Sequence, residues 1–264
     1  MPESPAPRAL ETYLRLADRC ADAAGDILAR AFRTPLEIET KDDASPVTGA
    51  DREAETAMRT LIAEAFPEHG IVGEELADVN AGAEFAWVLD PIDGTKSFIT
   101  GKPLFGTLIA LTRTGAPVLG VIDQPILHER WRGLRGAPTT LNGAPARVRR
   151  CGALGEAFLY ATSPHMFRDA EANAFELLRR HVRHALYGAD CYAYGLLASG
   201  HTDLVVEADL KPYDYLALVP IVEGAGGIIT DWEGRPLTLD SGGRVIAAGD
   251  PAVHAQALEL LHVT

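Results

Sequence analysis

The sequence predicts an α/β protein with an α+β first half over residues 1–150 and an α/β second half over residues 151–264. Three observations carry this prediction. Two amphipathic helical stripes open the chain, closely spaced apolar strands follow between residues 85 and 131, and strand-like and helical pieces alternate after Ala157.

The first stripe, within residues 8–33, places Leu10, Leu14, Ala17, Ala21, Ala24, Leu28 and Ala31 at alternating steps of four and three, with Pro35 as its stop. The second runs from about Ala50 to Phe66, with Ala54, Ala57, Met58, Leu61 and Ala65 inward and Pro67 ending it. A short apolar strand follows at Gly70 to Val72. The period then changes: Phe85 to Leu89, Gly106 to Thr112, Pro117 to Asp123 and Leu127 to Trp131 read as strands punctuated by Gly and Pro, and their close spacing favours antiparallel pairing.

In the second half, strand-like pieces at 157–161, 204–206, 227–230 and 245–248 alternate with helical stretches near 170–180, 191–199, 213–223 and 251–261. The style changes near Arg149 to Gly155 without a Ser/Gly-rich linker, so the halves are expected to share an interface.

Composition excludes several classes. At 47% hydrophobic and 23% charged residues the chain is too apolar for disorder. A formal charge of −13, with no basic run beyond Arg147, Arg149 and Arg150, disfavours a nucleic-acid partner. Cys20, Cys151 and Cys191 fit neither a disulfide framework nor a C-x-x-C motif. No stretch has the length and apolarity of a membrane span, and the N-terminal residues lack the pattern of a secretory leader. The expected compartment is the cytoplasm.

The most informative stretch is Trp87-Val-Leu-Asp90-Pro91-Ile92-Asp93-Gly94-Thr95-Lys96-Ser97, an apolar strand running into two carboxylates and a glycine turn. A strand end can present Asp90, Pro91 stiffens the exit, and Gly94 allows a sharp turn before Thr95 starts a helix. Two short acids this close repel each other unless a cation lies between them, and hard oxygen ligands suit Mg²⁺. Asp93-Gly94 alone reads sooner as an ordinary turn dipeptide than as a metal site. Two further acids change that weighting: Glu74 in Gly73-Glu-Glu75 follows the short strand, and Asp214 opens an apolar helix.

Gly73-Glu74-Glu75, Asp90-Pro-Ile-Asp-Gly-Thr95 and Asp214 followed by Glu223-Gly-Ala-Gly-Gly227 resemble, in order, the signatures of the inositol-monophosphatase-like family of Mg²⁺-dependent phosphatases. Ser45-Pro-Val-Thr48-Gly-Ala-Asp51 is similar to the family segment that supplies a further aspartate, and the match spans about Lys41 to Trp232. The run Lys96 to Leu111 looks most like the histidinol-phosphatase branch.

The resemblance implies a layered αβαβα sandwich, a homodimer, and hydrolysis of a small phosphorylated metabolite with two or three Mg²⁺ per site. By the same resemblance, Glu74, Asp90 and the Ile92 carbonyl would hold one ion, and Asp90, Asp93 and Asp214 a second. Glu74 and Thr95 would aim the water, with Asp51 accepting the Thr95 hydroxyl, and the Gly94 and Thr95 amides would hold phosphate. Lys41 would lie near a third ion or the phosphate.

Glu207 stands at the family's spacing for a substrate-binding acid. An ammonium-bearing substrate would add Asp190, with Tyr192 or Tyr194 as an apolar wall.

Histidinol phosphate, within histidine biosynthesis, is the leading substrate by this resemblance, with inositol 1-phosphate as the rival. 3′-Phosphoadenosine 5′-phosphate and fructose 1,6-bisphosphate stand further back. A non-catalytic metal-binding interaction protein is the alternative from another class. Gly94-Thr-Lys-Ser97 and Gly101-Lys102 lack the P-loop pattern, Gly224-Ala-Gly-Gly227 lacks the dinucleotide fingerprint, and His181 and His184 are expected among arginines on a surface helix rather than on zinc.

Overall fold

A computed structural model describes residues 7–40 and 46–262. In chain order its elements begin with α1 (Pro7–Ala31), β1 (Ile38–Thr40), β2 (Pro46–Thr48), α2 (Gly49–Ala65), β3 (Gly70–Gly73), β4 (Phe85–Asp93) and α3 (Thr95–Ile99). The first half continues with β5 (Gly106–Arg113), β6 (Ala116–Gln124), β7 (Glu129–Leu134), β8 (Thr140–Leu141) and β9 (Ala144–Pro145). The second contains β10 (Phe158–Ala161), α4 (Asp169–His181), β11 (His184–Tyr187), α5 (Tyr192–Ala198), β12 (Leu204–Glu207) and α6 (Pro212–Tyr215). It closes with α7 (Leu218–Gly224), β13 (Ile228–Thr230), β14 (Val245–Ala248) and α8 (Pro251–Leu261).

Two sheets organise these elements: β3-β4-β5-β6-β7-β8-β9, and β11-β10-β12-β14-β13. Beyond the parallel β3/β4 pair, the first sheet is antiparallel, as short connections require.

Each sheet is apolar on both faces, so each needs helices above and below. Trp87, Leu89, Ile109, Leu111, Leu119 and Val121 face α1 and α2, whereas the alternating Val88, Leu108, Ala110 and Ile122 face a middle layer of α5, α6 and α7. That layer also packs on β12 and β13, and α4 with α8 closes the far side. The result is the five-layer αβαβα sandwich, with a middle layer supplied wholly by the second half.

Several local expectations differ from the structure. The stretch 213–223 is divided into α6 and α7, because Pro220 has no N–H to return to the Leu216 carbonyl. The surface helix expected to carry both His181 and His184 ends at His181, and His184 starts β11, paired in parallel with β10. Short strands β1 and β2, with an exposed Ile38-Glu-Thr40, carry too little apolar alternation to be recognised. Among the described residues, no helix is long and apolar enough to cross a membrane.

Candidate active site

The centre of the site is made by a shift of register. Strand β4 pairs with β5 up to Asp90↔Leu108 and resumes at Asp93↔Gly106, so three steps on β4 answer two on β5. In a regular strand Asp90 and Asp93 would point to opposite faces. The bulge reverses the parity: Ile92 joins the core beside Trp87 and Leu89, and Asp93 returns to the side of Asp90. Pro91 suits this position because it donates nothing to the ladder, and its carbonyl accepts the buried Thr107 hydroxyl at 2.9 Å. Asp90 was expected at the strand's end; it lies within the strand, just before this irregularity.

Gly94 then turns the chain in the left-handed region at φ +86°. A Cβ there would lie 2.8 Å from the Asp190 carboxylate, so the residue must be glycine for both backbone and space. The turn brings Thr95 back over its own segment, and its hydroxyl donates to the Ile92 carbonyl at 3.1 Å. This corrects the expected Thr95–Asp51 hydrogen bond. Asp51, buried in the first turn of α2, instead accepts the Thr48 N–H at 2.8 Å and the Thr48 hydroxyl at 2.6 Å.

Glu74 reaches the same place from the neighbouring strand. The parallel register Gly73↔Leu89 puts both strand exits at one edge, and the Glu74 N–H donates to the Leu89 carbonyl at 3.2 Å. Asp214 arrives from the other half, in the first turn of α6 behind Pro212, where it accepts the Lys211 N–H at 2.6 Å. The carboxylates of Asp90, Asp93 and Asp214 offer oxygens all within 4.8 Å of one another.

Burial pushes Asp90 and Asp93 well above the usual carboxylate range. Glu74, Asp93 and Asp214 add repulsion at Asp90, and Asp190 and Asp214 add it at Asp93. Asp214 is raised to about 7, again chiefly by burial. Asp51 is raised by burial, opposed by its two bonds from Thr48. Asp51 Oδ1 and Asp90 Oδ1 are buried without a hydrogen-bond partner. Hard oxygen donors, mutual repulsion and orphaned acceptors together fit divalent cations such as Mg²⁺, which would be held by Glu74, Asp90, the Ile92 carbonyl, Asp93 and Asp214.

The second half closes the site. The Cys191 N–H donates to Asp93 Oδ2 at 2.5 Å, the Ser97 hydroxyl donates to Asp190 at 2.9 Å, and Lys102 donates to the Gly188 carbonyl. Sequence reading passed over Ser97, Lys102 and the Cys191 amide, since nothing local in sequence pairs residues 86 to 98 positions apart. Glu207 ends β12, buried, and accepts the Thr162 N–H at 2.9 Å and the Tyr194 hydroxyl at 3.0 Å. Burial raises it to about 7 against those two bonds.

Tyr192, expected as a substrate wall, donates its hydroxyl to Glu129 at 2.6 Å and meets Trp131 edge-on at 5.5 Å. Tyr192 stays half-buried, and the hydroxyl that meets Glu207 is that of the fully buried Tyr194. Lys41 lies outside the described residues.

A five-layer α/β sandwich with a carboxylate centre at paired strand exits defines the class of metal-dependent phosphatases to which the motifs pointed. A sequence model described as the inositol monophosphatase family matches residues 9–263, and the chain belongs to that family.

The chain is 51% identical over 261 residues to the chloroplastic bifunctional phosphatase IMPL2 of Arabidopsis thaliana, covering 96% of this chain and 75% of that one. It is 38% identical over 236 residues to a histidinol-phosphatase of Chlorobaculum parvum, covering 89% and 91%. The structure of an inositol monophosphatase from Zymomonas mobilis superposes with a TM-score of 0.89 at 52% identity, covering 96% and 98%. Members of the family are generally Mg²⁺-dependent, in keeping with the carboxylates assembled here.

Proposed function

We propose that this phosphatase hydrolyses L-histidinol phosphate to L-histidinol and phosphate, as a cytoplasmic homodimer serving histidine biosynthesis. The observation that carries the hydrolytic reading is the convergence of Asp90, Asp93 and Asp214 within 4.8 Å, beside Glu74. Bound divalent cations supply Lewis acidity, a more acidic water and neutralisation of phosphoryl charge.

The protein's own groups do the orienting. With its proton committed to the Ile92 carbonyl, the Thr95 hydroxyl presents oxygen lone pairs that can only accept, so a water in front of them can donate to it. The Glu74 carboxylate is the second acceptor for that water and takes up its proton. The Gly94 and Thr95 N–H groups, at the start of α3, donate to phosphoryl oxygens.

Glu207 and Asp190 support the choice of substrate, because two acids suit an ammonium-bearing leaving group better than a neutral polyol. The similarity to a protein named histidinol-phosphatase points the same way. The similarity to an inositol monophosphatase structure favours a second reading, inositol 1-phosphate, whose hydroxyls can also donate to Glu207.

A phosphate-release panel with Mg²⁺, comparing histidinol phosphate, inositol 1-phosphate and 3′-phosphoadenosine 5′-phosphate, separates these readings. The highest kcat/KM is expected for histidinol phosphate, and a tenfold preference for inositol 1-phosphate would reverse the assignment.

A further inference from the structure

Helix α2 carries three polar residues at steps of four, Asp51, Glu55 and Arg59, so all three lie along one side of the helix. Asp51 belongs to the site described above. Glu55 and Arg59 belong to a separate structure that grips the chain immediately after Glu74.

Glu55 is fully buried, and its two carboxylate oxygens are spent on backbone. Oε2 accepts the Glu75 N–H at 2.8 Å, and Oε1 accepts the Leu76 N–H at 3.2 Å. Arg59 Nε donates to the same Oε1 at 2.8 Å, which leaves its two terminal nitrogens aimed outward. Those nitrogens donate to the Leu76 carbonyl at 2.8 Å and the Ala77 carbonyl at 2.9 Å. One ion pair thereby binds donors and acceptors of three consecutive residues, 75–77.

On the other side of Glu74, its own N–H is fixed to the Leu89 carbonyl of β4, one residue before Asp90. Gly73 has no side chain because Glu55 and Arg59 occupy the space where a Cβ would stand.

We infer that Glu55 and Arg59 are positioning residues for the reaction: they hold the backbone after Glu74 so that its carboxylate stays at Asp90. The inference rests on the hydrolytic reading of Glu74 and deepens it. A surface pair of this kind would contribute little, since exposed ion pairs are screened. Here the carboxylate is buried and every bond outside the pair itself goes to a loop without regular structure, so loosening the pair frees the loop before it loosens the sheet. Supporting groups that orient a reactive carboxylate typically change activity by about 10–100-fold when removed.

The test uses the full chain and two readouts: steady-state hydrolysis of histidinol phosphate with saturating Mg²⁺, and amide hydrogen exchange without metal. Glu55→Gln keeps the side chain's size but surrenders one acceptor oxygen. It is expected to lower kcat by about 10–100-fold with KM within about twofold. Exchange at the Glu75 and Leu76 amides should rise at least about tenfold while the β4 amides stay protected. Arg59→Met should show the same pattern more weakly, and Arg59→Lys should recover part of it.

A purely structural role would instead speed exchange across α2 and β4 together and leave kcat per folded molecule unchanged. That outcome overturns the inference, as does unchanged exchange at residues 75 and 76. Should Glu55→Gln fail to fold, the Arg59 variants decide by the same criteria. If the unsubstituted protein hydrolyses none of the phosphate esters, the hydrolytic reading fails by itself, while the exchange data still report whether the clamp exists.

Discussion

The Tyr194 hydroxyl donates to Glu207 Oε2 at 3.0 Å, both groups buried, so the acid proposed to meet the substrate is tuned by a phenol thirteen positions earlier. Removing that bond removes an influence that holds the Glu207 pKa down, at about 7, against burial. Tyr194→Phe is therefore expected to shift the acidic limb of the kcat/KM profile for histidinol phosphate upward in pH, and to raise KM several-fold at pH 7. Glu207→Gln should lower kcat/KM by at least about tenfold, in line with a charge-assisted hydrogen bond of about 1.5–3 kcal/mol. An unchanged profile in both variants would remove Glu207 from recognition.

Asp90→Asn is expected to cut Mg²⁺-dependent turnover by at least about 10³-fold, since Asp90 interacts with all three of Glu74, Asp93 and Asp214. The same substitution should raise the melting temperature in EDTA, because it deletes a repulsive buried acid. Near-normal activity would refute the assignment.

The metal-free protein should also lose stability as pH rises. A carboxyl whose folded pKa is raised binds more proton in the native state than in the unfolded one, so stability falls from about pH 4 through the folded value. For Asp214 and Glu207 that window closes near 7. Melting temperatures in EDTA should decline between pH 5 and 8, and Mg²⁺ should flatten the decline. A slope identical with and without Mg²⁺ would contradict this account.

Gly94→Ala should destabilise the fold by about 1–2 kcal/mol from the left-handed backbone alone. It should also push Asp190 away from the turn. Denaturant midpoints and kcat would both fall, the latter by about 10²-fold, because the Thr95 oxygen moves with the turn. Retained kcat would show that the turn is not needed for alignment.

His69 gives an acid-side prediction. Its Nδ1 accepts the Trp87 indole N–H at 3.2 Å while its ring stacks on Phe66 and Phe85, and burial lowers its pKa despite the nearby Glu68. The unfolded chain binds the proton more readily, so stability is lost as pH falls below about 6.5. His69→Phe should be less stable at pH 7.5, with the Trp87 N–H orphaned at a cost of about 1–3 kcal/mol. The difference from the unsubstituted protein should narrow towards pH 5 in urea titrations; a constant difference would exclude the linkage.

Much of this architecture was legible in sequence because the deciding patterns are local. The strand run Phe85 to Leu89, apolar on both faces, announces a sheet covered on both sides, and the acids at Glu74, Asp90, Asp93 and Asp214 sit where apolar periodicity stops. The rest depended on distant partners. Tyr192 bonds Glu129, 63 positions away, and Tyr194 bonds Glu207, pairings that no local pattern announces. The partner of the Thr95 hydroxyl was set by the curl that Gly94 permits. Glu55 and Arg59 left a trace, the four-residue steps from Asp51, but an i, i+4 pair on a helix ordinarily reads as a solvated surface feature.

The uneven register around Pro91 makes strand pairing itself part of the chemistry. Were three residues of β4 to answer three of β5 here, Asp93 would emerge on the wall of the sheet lined by Trp87 and Leu89. A chain paired in that way would retain every acidic residue and lose the meeting of Asp90 with Asp93. How the two strands are laced, and not only which acids they carry, is what a sequence must preserve at this point.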